Sequence, residues 1–187
     1  MEKLHNHAGK PSMLVLRPAD GKETTVAWTL AMENVDTPQA LILSRQNITN
    51  LPDGNDYEDA RKGGYVVAGS DVDPDIILVA TGSEVSTLVA GAELLRKDGR
   101  KVRIVSVPSE GLFREQSVEY QQSVLSARVK KFGLTAGLPV NLLGLVPVAE
   151  GSIWGLESFG FSAPYKVLDE KLGFTAENVY NQVNKLL

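Results

Sequence analysis

The chain has 187 residues, 43% of them hydrophobic and 22% charged, with a formal net charge of −4. That length is enough to bury a sizeable core, and the charge balance provides no electrostatic footprint for nucleic acid or an anionic membrane. With no cysteine and two histidines, His5 and His7, disulfides, thiolate metal sites and cysteine nucleophiles are excluded, and a histidine general base is hard to place. No apolar stretch approaches the roughly 20 residues that span a bilayer. The polar lead has no apolar core of a signal peptide, so a cytoplasmic location is the expectation.

In chain order, residues 1–8 read as the tail of a helix stopped by Gly9-Lys10-Pro11. Residues 12–17 read as a strand ended by Pro18. Asp20 with Glu23 forms a capping-box pattern, and Val26, Ala27, Leu30 and Ala31 follow at helical spacing. Residues 40–43 are all apolar, the pattern of a parallel strand buried on both faces. Residues 50–64 begin turn-rich and acidic, as an interdomain linker does.

A second α/β pattern starts at Gly63-Gly64-Tyr65. Residues 75–80 make the strongest strand in the chain. Thr81-Gly82-Ser83-Glu84 opens a helix with Val85, Leu88, Val89, Ala92 and Leu95 on one face and Gly99 beyond its end. Residues 102–107 form the next strand, closed by Pro108, which completes a βαβ crossover. Residues 127–132 and 152–156 are weaker strand candidates. A helix follows near 163–171, and Thr175 caps a final helix to about Lys185.

Several strings invite a chemical reading. Ser83, at a strand-to-helix turn, is a place where an anion can bind, but no phosphate-loop string is present and Glu84 would repel a phosphate. Simple capping is favoured there. Gly160-Phe161-Ser162-Ala163-Pro164 half-resembles a nucleophile elbow, with proline in place of the second glycine. Without a nearby base, Ser162 reads better as a helix N-cap. His5-Asn6-His7 lacks further metal ligands, and Asn47-Ile48-Thr49 is a sequon in a chain that nothing targets for secretion. Arg128, Lys130 and Lys131 read as a solvated basic face.

Ser44-Arg45-Gln46-Asn47 is different. It follows the apolar strand directly, so it falls at a carboxyl end, where open α/β sheets bind ligands. Arginine is permanently charged and offers a planar fork suited to phosphate, and Gln46 and Asn47 add neutral donors. The alternative is a solvated loop whose arginine pairs with a local acid, and composition leaves the two even.

At this point the succession of residues resembles the C-terminal part of transketolases. It runs through Leu16-Arg17-Pro18-Ala19-Asp20, then Ala40 to Asn47, Gly63-Gly64-Tyr65-Val66 and Ala80-Thr81-Gly82-Ser83-Glu84-Val85. It continues with Ser106-Val107-Pro108-Ser109, Phe159-Gly160-Phe161-Ser162-Ala163-Pro164, Gly173-Phe174-Thr175 and Asn178-Val179. Residues 130–150 depart from the commoner pattern, in which an acidic residue precedes an Ala-Gly pair and an aromatic-rich segment follows; here Leu134-Thr135-Ala136-Gly137-Leu138-Pro139 stands instead.

The resemblance implies a three-layer α/β fold with an open, mostly parallel sheet. Residues 1–50 would be the remnant of a pyrimidine-binding domain, 51–64 a linker and 65–187 a Rossmann-like C-terminal domain. The family implies a homodimer that moves a two-carbon ketol unit between sugar phosphates, using thiamine diphosphate and a divalent metal such as magnesium or calcium. Arg45 would contact the sugar phosphate, with Ser44, Gln46 and Asn47 supporting it. The family's catalytic, cofactor and metal residues match no position here, so no bound cofactor and no turnover are expected from this chain alone. A free-standing anion-binding module using Ser83 is one rival. Related thiamine enzymes, deoxyxylulose phosphate synthase and the β subunit of ketoacid dehydrogenases, are another, sharing the fold but not the full Ser-Arg-Gln-Asn context.

Overall fold

A computed structural model describes residues 5–7, 9, 11–52, 57–69 and 73–187. Two sheets carry the chain. The smaller pairs β1 (Leu14–Leu16) in parallel with β2 (Gln39–Leu41), joined by helix α1 (Gly21–Glu33). Asp20 caps α1 by accepting from the Glu23 N–H at 2.8 Å, and the Glu23 carboxylate accepts from the Ala19 N–H at 2.7 Å. This is the reciprocal arrangement that the spacing predicts, with the return bond one residue earlier. Residues 1–4 and 8 lie outside the described residues, so the expected helix tail is described only at 5–7. There His5 forms a β-bridge with Pro11 instead of helix.

The larger sheet has five strands in the order β3-β5-β4-β6-β7: β3 (Tyr65–Ala68), β4 (Ile76–Ala80), β5 (Val102–Ser106), β6 (Lys131–Leu134) and β7 (Gly151–Trp154). All pairs are parallel except β3 against β5. β4 sits at the centre and every one of its residues is fully buried. Alternation sends Ile76, Leu78 and Ala80 to one face and Ile77 and Val79 to the other, which is why the run is apolar throughout.

On the first face pack α2 (Glu84–Lys97) and α6 (Ala176–Leu186), through Val85, Leu88, Leu95, Val179 and Val183. On the second lie α3 (Glu110–Arg114), α4 (Val118–Val124) and a 3-10 turn at Pro139–Leu142, through Phe113, Val124 and Leu142. The result is the expected three-layer, mostly parallel α/β fold.

The segment after residue 52 is partly outside the described residues, at 53–56. It continues as a 3-10 helix, Tyr57–Lys62. Leu51 is buried, and its N–H donates to Asp20 at 2.9 Å. Helix α5 (Tyr165–Leu172) starts from Pro164, which occupies the cap position itself, and ends at Gly173 with φ +80°, a left-handed conformation glycine adopts without strain. Ser162 lies outside the helix and is exposed, so its expected capping role is not realised. The Thr175 hydroxyl accepts from the Asn178 N–H and opens α6 as expected.

Two expectations about burial are corrected. The apolar run at 40–43 is not buried on both faces: Ile42 and Leu43 are 47% and 52% exposed, because β2 has a single partner strand among the described residues. Lys131 is not on a solvated face. It begins β6, which starts four residues later than the 127–132 reading placed it, and its side chain is 2% exposed. The ammonium donates to Glu150 at 2.5 Å and to the Val129 carbonyl at 3.1 Å, which makes a buried charge tolerable. Among the described residues no helix is long and apolar enough to cross a membrane.

Candidate functional site

The loop that leaves β2 is held at its root, where the Ile42 N–H donates to the Leu16 carbonyl at 2.8 Å. The chain then runs without regular structure and bends at Arg45 and Gln46. Ser44, Gln46 and Asn47 line a cavity of about 480 Å³. Its far wall comes from the first turns of α2, at Ser83 and Ser86, and from Tyr165 and Asp169 of α5.

Arg45 is exposed and is not part of that lining. No described residue forms an ion pair or hydrogen bond with its guanidinium. The four polar residues expected to act together are therefore divided by the fold. Three line the cavity shared with the C-terminal half of the molecule, while the arginine is exposed outside it.

A second arginine, which the sequence reading passed over, lies where the smaller sheet meets the larger unit. Arg17 follows β1 directly. Its Nη1 donates to the Thr81 carbonyl at 2.6 Å, and its Nη2 lies 2.9 and 2.7 Å from the two carboxylate oxygens of Glu84. Its own N–H donates to the Pro108 carbonyl at 2.8 Å, and its carbonyl accepts from the Thr81 hydroxyl at 3.3 Å. Glu84 in turn accepts from the Ala136 N–H at 3.2 Å. Gly82, at φ +68°, lets the backbone pass under the guanidinium, since a Cβ there would lie 2.9 Å from three Arg17 atoms.

These contacts change the reading of Ser83. Its side chain makes no capping bond to α2. The position is one where the N-terminal end of a helix meets a carboxylate, Glu84, that already has its cation. Asp169 adds a second carboxyl to the cavity, its pKa raised by burial and by the neighbouring Glu84 charge. An anion would meet two acidic groups here, so the anion-module reading finds no support in the geometry. Ser162 has no base beside it, since the only histidines, His5 and His7, are exposed in the lead.

A further buried group lies where α1 meets the large sheet. Glu23 is 1% exposed and accepts from the Tyr65 hydroxyl at 2.9 Å. Burial raises the pKa of Glu23, and burial together with the Glu23 charge raises that of Tyr65. The pair ties β3 to α1, and neither residue lines the cavity beside the Arg45 loop.

The transketolase-like C-terminal domain family matches residues 63–175. The chain belongs to the transketolase family. The transketolase of Staphylococcus aureus strain MW2 is 42% identical over 189 residues, covering 100% of this chain and 28% of its own length. Transketolase 1 of Vibrio vulnificus is 44% identical over 179 residues, covering 95% of this chain and 27% of its own. The solved transketolase of Pichia stipitis in complex with sedoheptulose 7-phosphate superposes with a TM-score of 0.86 at 36% identity, over 95% of this chain and 25% of that one. The chain thus spans less than a third of the length of these three relatives. The family match itself begins at Gly63, beyond Arg17 and Arg45, which fall within the longer alignments to whole transketolases. Among its described residues no group of three or more His, Asp or Glu side chains is arranged to hold a metal ion.

Proposed function

We propose that this chain serves within a complete transketolase, where Arg45 holds the phosphate of a sugar phosphate during transfer of a two-carbon ketol unit. One observation carries the reading: an exposed arginine without a partner among the described residues, at the carboxyl end of a parallel strand. A guanidinium there offers two parallel N–H donors to a phosphate, and the alternative of a local acid neutralising it finds no described partner. The complex of the Pichia stipitis relative with sedoheptulose 7-phosphate is in keeping with that substrate class. Holding the phosphate end fixes where the sugar's reacting end lies, which reduces the orientational cost of the transfer.

Thiamine diphosphate and a divalent metal would supply the carbanion chemistry of the whole enzyme. The family residues that hold these two groups match no position in this sequence, so the reading assigns both, and the steps that depend on them, to other parts of the complete enzyme. Residues 1–50 would complete a pyrimidine-binding domain with that outside portion, residues 51–64 would link, and residues 65–187 would form the C-terminal domain. The half-exposed Ile42 and Leu43 fit a sheet that continues into further chain. A homodimer in the cytoplasm is the assembly this reading implies.

Replacing Arg45 by Ala in the complete enzyme is expected to raise KM for phosphorylated acceptors about tenfold to a hundredfold, corresponding to roughly 1.4–2.7 kcal/mol. Unphosphorylated acceptors should be used as before; equal loss on both removes the assignment. The isolated chain is expected to show no ketol transfer, and turnover by the purified chain would overturn the account.

A further inference from the structure

In open α/β sheets the crevice that receives a ligand lies outside the carboxyl ends of the strands, where the strand order reverses. In the large sheet that point is between β4 and β6, because the chain runs from β4 outward to β5 and then returns past β4 to β6. The residues just beyond those three strands are Thr81, Pro108 and Ala136. All three are engaged by one device. Arg17 bonds to Thr81 and Pro108 directly and to Ala136 through Glu84. Arg17, from the smaller α/β unit, thus lies along one wall of the cavity of about 720 Å³ that opens beyond these strand ends, beside Thr81, Pro108 and Ala136.

We infer that the Arg17–Glu84 pair is a latch between the two units, and that Arg17 is a positioning residue for the Arg45 loop. The coupling path is short. Leu16, next to Arg17, accepts the Ile42 N–H, and Ile42 stands three residues before Arg45. Arg17 and Glu84 also line the cavity whose other wall is Ser44, Gln46 and Asn47, so the latch and the back of the loop share one surface. Glu84 is 5% exposed and the Arg17 side chain 25%, which shields the pair from screening that weakens surface ion pairs. A planar fork that meets a carbonyl and a carboxylate at once fixes both direction and distance. The consequence for substrate rests on the reading of Arg45 as the phosphate contact; the latch itself does not.

The chain has no cysteine, so spin labels at Val35→Cys on the small unit and Lys97→Cys on α2 report the relation of the two units directly. A single narrow distance distribution is expected for the parent chain. Glu84→Gln, which keeps an acceptor for Ala136 but removes the charge, and Arg17→Met should broaden it, with Arg17→Lys intermediate. Hydrogen exchange at the Ile42 amide should accelerate about tenfold while Ile76–Ala80 keeps its protection. An unchanged distribution in Glu84→Gln and Arg17→Met overturns the latch. Equal loss of protection in β4 also overturns it, because the pair would then be adding only to overall stability. In the complete enzyme, Glu84→Gln should raise KM for phosphorylated acceptors several-fold with kcat kept. Broadening without that KM effect would leave the latch in place and remove its link to Arg45. Loss of the effect in Arg45→Ala alone, with the latch intact, would count against the phosphate reading and not against the latch.

Discussion

Two short apolar runs in this molecule have opposite fates. β4 reads Ile-Ile-Leu-Val-Ala and is buried at every residue; the run at 40–43 reads Ala-Leu-Ile-Leu and ends with Ile42 and Leu43 half exposed. The difference lies in what surrounds them. β4 has a strand on each side and helices over both faces, whereas β2 has one partner strand among the described residues. A continuous apolar run states a demand for burial, and only the neighbours decide whether it is met. The same contrast separates the two arginines. Arg17 is absorbed by the backbone and a carboxylate of the large unit, while Arg45, 28 positions later in the sequence, has no described partner.

The largest test of this contrast is truncation. Leu78→Ala in β4 should cost about 2–5 kcal/mol, and Leu43→Ala less than about 1 kcal/mol, read from denaturant unfolding with m unchanged. Similar losses at both would mean that the small unit is packed as tightly as the large one. Glu150→Ala should cost about 3 kcal/mol, because it strands the buried Lys131 ammonium; replacing both partners by apolar residues should recover most of that.

A pH series separates the joint at Glu23. Its folded pKa is raised above 4.5 by burial, so the native state holds its proton more tightly than the unfolded chain. Its contribution is fully present below that unfolded value and is lost as pH rises through the folded one. Glu23→Gln should therefore flatten the fall in stability above pH 4.5 relative to the parent, in melts recorded across that range. Parallel curves would show that the carboxyl is not titrating in the fold. The smallest effects concern caps: Thr175→Ala should cost about 1 kcal/mol and Ser83→Ala less than about 0.5, since only the threonine makes a capping bond.

Much of the framework was legible because it is written in local patterns. The five apolar residues of β4, the Asp20–Glu23 reciprocity and the Thr175 cap each depend on groups a few positions apart. Ser83 shows the limit of that logic, for a capping residue type at a helix start makes no cap once Glu84 is recruited by a partner 67 positions away. The short helices α3 and α4 and the 3-10 turn at Pro139–Leu142 carry too few turns for a period to show. The position of Arg45 just beyond a parallel strand was legible too, from the apolar run that precedes it. That Ser44, Gln46 and Asn47 would line a cavity without it was not.

By itself, then, the sequence determined the α/β alternation, the order of the main strands and the family, because hydrophobic period, turn residues and an ordered series of motifs are local or collinear. Only the tertiary structure decided which charges are buried and paired. Lys131 reads as one of three basic residues until β6 places it beside Glu150, and Arg17 reads as the end of a strand until the Thr81 and Pro108 carbonyls and the Glu84 carboxylate of the larger unit accept its N–H groups. The physical reason is that a charge can leave water only where a partner waits, and partners far apart in the chain meet only in the fold.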